Sequence, residues 1–174
     1  MDWRELLTDG YTRIEQVLER SLKGLSVDDL RWQPKLDCNS IGWLTWHLTR
    51  VQDGHIASLI GKDQLWIKDG WYAKFNRPKD PKDRGFGETP EQVAAFTSEA
   101  QTLLDYHKVV SERSKNYFLT LTDADLGREL NEPQYQPLPT VGVRLISVLS
   151  DNLQHAGQTA YVRGQLQGLG WQRR

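Results

Sequence analysis

Three residues in this chain carry side chains suited to gripping a cation. Asp151 and His155 stand four apart in S-D-N-L-Q-H-A-G-Q, and His47 lies in W-L-T-W-H-L-T-R. On a helix, a spacing of four stacks two side chains on one face, about one turn apart. An imidazole and a carboxylate so placed can share one divalent ion, and His47 is the best third donor. Two histidines and one carboxylate leave coordination positions open, which is the layout of a catalytic rather than a closed structural metal site. The plainer reading of Asp151 is a solvated carboxylate, or one paired with Arg144 or Arg50.

The other reactive side chains have weaker claims. His107 falls in the middle of an apolar stripe, where a histidine is more often a hydrogen-bonded core residue than a ligand. His55 follows His47 by eight residues, too far along a helix axis for both to chelate easily. Cys38, with no histidine near it in sequence, is a poor nucleophile candidate. Arg50 and Arg163 could receive an anionic substrate or cofactor group, although exposed charge on a helix flank is the commoner role. Gln158, Asn152 and Asp53 are candidates to orient the imidazoles from behind.

These residues need helices to position them, and the periodicity supplies four long ones. The first covers residues 3 to 23, with Trp3, Leu6, Leu7, Ile14, Val17, Leu18 and Leu22 on one stripe and Gly24 as its stop. A second begins at Asn39 or Ser40 and runs to Ile60, ended by Gly61. Ile41, Leu44, Leu48, Val51 and Leu59 form its apolar arc, with His47 at the border and Arg50 further round. The third starts at Thr89-Pro90-Glu91-Gln92, a cap, a first-position proline and a capping box, and is predicted to run unbroken to Leu119. Thr140 caps the fourth, which runs to Gln167 and carries His155 inside its apolar arc and Asp151 at its edge. Two short turns, S-V-D-D-L and T-D-A-D-L, each follow a long helix.

Residues 62 to 88 break the periodicity, yet hold Trp66, Trp71, Tyr72, Phe75 and Phe86. Aromatic rings seek burial, so this stretch reads as an ordered flap over one end of the molecule. The expected architecture is all-α: a four-helix bundle with two long connections, in a single domain spanning residues 1–174.

Composition excludes several classes of partner. With 22 basic against 23 acidic residues, nothing favours nucleic acid or an anionic membrane surface. No apolar run approaches the ~20 residues a bilayer span needs. The start, M-D-W-R-E, lacks the apolar core of a secretory signal. One cysteine rules out an internal disulfide framework and fits a reducing, cytoplasmic compartment. Seven tryptophans is a high count, and those outside the periodic segments are expected to line a pocket, a lid or an interface.

Three segments carry a resemblance: S-I-G-W-L-T-W-H-L-T-R-V-Q-D at 40–53, G-F-G-E-T-P-E-Q-V-A-A-F at 85–96 and D-N-L-Q-H-A-G-Q at 151–158. Together, in this order, they resemble the DinB-like superfamily of metalloenzymes, over nearly the whole chain. The resemblance implies a four-helix bundle, a homodimer, and a divalent metal held by His47, Asp151 and His155. Many members have histidine where this chain has Asp151; the mycothiol-dependent maleylpyruvate isomerase branch has a carboxylate there. The resemblance also implies a thiol S-transferase that presents a low-molecular-weight thiol (mycothiol, bacillithiol or glutathione) to an electrophile. Zinc is the first expectation for the ion, with nickel next, and two histidines plus a carboxylate also suit non-haem iron. The alternatives are a metal-dependent hydrolase, or a metal- and ligand-binding dimer without turnover.

Overall fold

Asp2 accepts from the backbone N–H groups of Arg4 and Glu5, and Glu5 closes the capping box, so the first helix starts at Trp3. It buries Leu7, Tyr11, Ile14, Leu18 and Leu22 at helical spacing. The computed structural model describes residues 1–173. Nine α-helices follow one another among those residues: α1 (Trp3–Leu22), α2 (Val27–Arg31), α3 (Ile41–Ile60), α4 (Leu65–Lys68), α5 (Trp71–Lys74), α6 (Pro90–Ala95), α7 (Ala100–Thr120), α8 (Asp123–Leu126) and α9 (Val141–Gln167). A 3-10 turn, Trp171–Arg173, comes last. No strand forms among the described residues; the nearest feature is an isolated antiparallel bridge between Glu129 and Thr140.

The four long helices, α1, α3, α7 and α9, make the bundle. Lys115 pairs with Glu15, and the rings of Tyr11 and Phe118 lie 5.1 Å apart, so α1 and α7 run antiparallel. Asn152 donates to Gln52 while His155 sits beside His47, so α3 and α9 are antiparallel too. Thr49 meets His107 and Gln52 meets Ser114, which makes α3 and α7 parallel. Gly10 lies against Leu149, and Arg163 donates to the Arg20 carbonyl, which makes α1 and α9 parallel. Joining the parallel pair α3 and α7 needs a connection that returns along the bundle, and residues 61–99 provide it.

Helix ends fall where local chemistry sets them. Ser40, Thr89 and Thr140 cap α3, α6 and α9, and Gly61 ends α3 in the left-handed conformation at φ 69°. Ser26 and Thr122 close capping boxes on the two short turns, α2 and α8.

Three expectations need correction. The third helix is not continuous from Pro90 to Leu119: it stops at Ala95, and α7 restarts at Ala100. Phe96 is extended at φ −65°, ψ 128°, and its ring is buried against Trp46 and Phe75; that anchorage outweighs helix continuity. Of the tryptophans outside the long helices, Trp66 and Trp71 are core residues, packed with Phe75 and Tyr106, whereas Trp171 lines a surface cleft with Tyr161 and Gly164. Finally, the flank of α3 that carries Arg50 is not exposed. Every residue from Ile41 to Gly54 is buried, because the 62–88 flap covers the face turned away from the other long helices.

Candidate metal centre

The flap is fastened to α3 by three side chains on one helix face. Trp43 donates from Nε1 to Glu88 at 2.7 Å. His47 donates from Nδ1 to the backbone carbonyl of Arg84. Arg50 donates from Nε to the carbonyl of Asp83 at 2.9 Å. Arg77 clamps the same segment from within, bridging Asp83 and Glu88 while stacking over Trp46. Gly85 allows this close approach. Its φ is +83°, and a Cβ there would stand 2.6 Å from Trp43 Cζ2, so a side chain would lever the segment away.

His47 is therefore oriented before any ion arrives. A carbonyl only accepts, so Nδ1 carries the proton and Nε2 presents its lone pair. Trp43 stacks on the ring at 4.7 Å, and Phe86 meets it edge-on at 5.0 Å. Burial holds the His47 pKa below its usual range, against the opposing effect of the Arg84 carbonyl. The ring is thus neutral at pH 7, as a metal ligand must be.

His155 comes from α9 and is set the same way. Its Nδ1 meets Gln158 Oε1 at 2.7 Å, which turns Nε2 toward Asp151 Oδ1, 3.6 Å away. The His47 and His155 rings are 4.9 Å apart and nearly perpendicular. Each of His47, Asp151 and His155 offers one ligand atom, and the three atoms lie within 4.8 Å of one another. Donors around a tetrahedral zinc stand about 3.4 Å apart, so side-chain adjustments of the order of 1 Å close this set on an ion. Two imidazoles and a carboxylate could hold zinc, nickel or iron. The set fits a divalent cation with open positions.

The family model for the DinB superfamily matches residues 11–159. The chain belongs to the DinB superfamily. Among solved structures, this DinB chain is similar to a conserved protein from Enterococcus faecalis, with a TM-score of 0.86 and 29% identity over 94% of this chain and 96% of that one. No curated protein matches it.

The remaining sequence candidates divide sharply in this DinB fold. Gln158 does stand behind His155. Asn152 and Asp53 do not orient the imidazoles. Asn152 joins a buried chain from α9 through Gln52 to Ser114. Asp53 accepts from the backbone of Leu65 and Trp66 and from the Tyr106 hydroxyl, fixing the start of the flap. Arg50, fully buried, is not free for an anion: it donates to Asp83, Asp53, Tyr106, Gln64 and Pro81. Arg163 ties α9 to the Arg20 carbonyl of α1, donates to Gln167 one turn further along α9, and lies over Trp171.

His107 and His55 stay outside the triad. His107 meets the Thr49 hydroxyl at 3.1 Å, and burial pushes its pKa down to about 4. His55 is also pushed down to about 4, by burial first and then by Arg144 and Arg84. Cys38 is a free, half-buried thiol in the turn before α3. One residue escaped the sequence reading: Tyr11 of α1, whose buried hydroxyl has no partner among the described residues and whose pKa is raised by burial and then by the Asp151 charge. Its signal was a tyrosine at the stripe position between Leu7 and Ile14.

Proposed function

We propose that the protein is a metal-dependent thiol S-transferase, with His47, Asp151 and His155 as the ligands of one divalent ion. The observation that carries the metal reading is the pair of imidazoles whose Nδ1 atoms are both engaged by oxygen acceptors, with the three donor atoms within 4.8 Å. When bound, such an ion supplies Lewis acidity, enough to hold a thiol as its thiolate at neutral pH. The chain's own residues do the rest. His47, with 3% of its surface exposed, forms the closed back of the site. Asp151 and His155, with side chains 34% and 19% exposed, form its open rim. Trp43 and Phe86 pack on the imidazole of His47 and keep water from its flank. A thiol entering at the rim loses its proton to solvent there. Its sulfur then forms a bond to an electrophilic carbon, and the leaving group departs with the electron pair of the bond that breaks.

Two measurements test this. Metal content of protein purified without added metal, and again after supplementation, should reach one zinc or nickel per chain and be lost in His155→Ala. The loaded protein should then conjugate mycothiol or bacillithiol to monochlorobimane in a metal-dependent way. Absence of specific metal uptake would overturn the whole reading. Metal uptake with ester or amide cleavage in the absence of thiol would replace the transferase with a hydrolase.

A further inference from the structure

The side chain of Arg84 is seated at a cost to α3. Its guanidinium lies on the helix at Gly54, where an added Cβ would stand 2.3 Å from Nη2 and 2.5 Å from Cζ. Any other residue at 54 would push it away, and glycine inside a helix costs about 0.5–1 kcal/mol relative to alanine. Among the described residues the cation so accommodated has no hydrogen-bond or ion-pair partner, and its Nε is buried. A half-buried guanidinium without a counter-charge is unfavourable. A local conflict of this kind, built on a special backbone position, marks a place where a ligand supplies what the protein lacks.

Arg84 lines a groove of about 410 Å³ between the end of α3, the start of α4 and residues 79–84. Lys62 and Lys79 line it too, and Asp63 is the one carboxylate on its wall. Among the described residues neither lysine has an ion-pair partner; Lys79 rests 5.8 Å from the centre of the Tyr72 ring. Positive charge therefore exceeds negative by two. The far wall is fixed without any ligand. Arg50 and Gln64 both donate to the Pro81 carbonyl, at 3.3 and 3.1 Å, and Arg50 also holds the carbonyl of Asp83. Ala57, Ile67 and Pro81 give the groove apolar sides.

We propose that this groove binds a phosphate group, free or as the head of a small phosphomonoester, with Arg84 at its base and Lys62 and Lys79 at its rim. A phosphomonoester carries a charge of about −1.5 to −2 at pH 7, which matches the excess on the walls. A guanidinium presents paired donors to phosphate oxygens, while lysine adds a point charge. The apolar sides offer contact to the organic part of an ester. None of this depends on a metal at His47, Asp151 and His155.

Calorimetric titration at constant ionic strength, with inorganic phosphate, phenyl phosphate and acetate in turn, tests the site. Phosphate and phenyl phosphate should bind saturably, one per chain, and acetate should not. Tighter binding of phenyl phosphate would assign the groove to an ester, and equal binding to free phosphate. Arg84→Gln should weaken binding about tenfold or more. Lys62 and Lys79 are exposed, so Lys62→Gln and Lys79→Gln leave the fold intact; each should weaken binding about two- to fivefold. Lys35→Gln, an exposed lysine outside the groove, should change nothing. His155→Ala should bind phosphate as wild type does, so failure of the metal reading is told apart from failure of this one. No saturable phosphate binding by wild type, equal binding of acetate, wild-type affinity in Arg84→Gln, or the same loss in Lys35→Gln as in Lys62→Gln would each overturn the proposal.

Discussion

His47 and His107 show how little residue type alone decides. Both are buried histidines on long helices, and both touch an oxygen through Nδ1. His47 turns its free nitrogen to two other donors; His107 turns Nε2 into a place with no partner among the described residues. The second case has a measurable consequence. The folded-state pKa of His107, about 4, lies below the ordinary value of 6.5 that the unfolded chain has. The unfolded state therefore takes up the proton first as pH falls. Stability contributed by neutral His107 is complete above that ordinary value and is lost progressively down to about pH 4. The loss is of the order of 3 kcal/mol. Urea unfolding at several pH values should show a shallower acid slope in His107→Gln than in wild type; equal slopes would rule the effect out.

At the scale of elements, the flap is as much a part of the site as the bundle. Residues 83–88 supply the carbonyl that sets His47, the carboxylate that holds Trp43 and the unpaired guanidinium of Arg84. The start of the flap is held by Asp53, a buried carboxylate that accepts from Leu65, Trp66, Tyr106 and Arg50. Asp53→Ala removes those acceptors and leaves Arg50 buried without its carboxylate. The expected cost is about 3–5 kcal/mol, read from chemical denaturation, with faster amide exchange in the 62–88 segment. An unchanged unfolding midpoint would show that the aromatic contacts of Trp66, Trp71 and Phe75 hold the flap unaided.

For the whole molecule, the triad spans α3 and α9, so an ion there cross-links elements about a hundred residues apart in sequence. An ion that binds only the folded state stabilises it by about 2.7 kcal/mol at a hundredfold excess over Kd. For a domain of this size, that corresponds to a rise in Tm of roughly 5–10 °C. Zinc should produce this shift in wild type, a chelator should reverse it, and His155→Ala should abolish it. Equal shifts in wild type and His155→Ala would place the ion elsewhere. None of the described helices is long and apolar enough to cross a membrane.

Local features were legible in the chain itself. Ser40, Thr89 and Thr140 mark helix starts, Gly61 marks a stop, and Asp151 with His155 is a pair whose geometry follows from helical spacing alone. Those signals act over a few residues, so the sequence states them completely. Tertiary structure decided what each helix face meets. The apolar period of α3 left Arg50 on an open flank, whereas the flap buries it; the same flap anchors Phe96 and so interrupts the third helix. It also decided which arginines are paired. Arg50 and Arg163 are fully engaged while Arg84 is not, because a guanidinium's partners are carbonyls and carboxylates set by the folded path of the chain rather than by its neighbours in sequence.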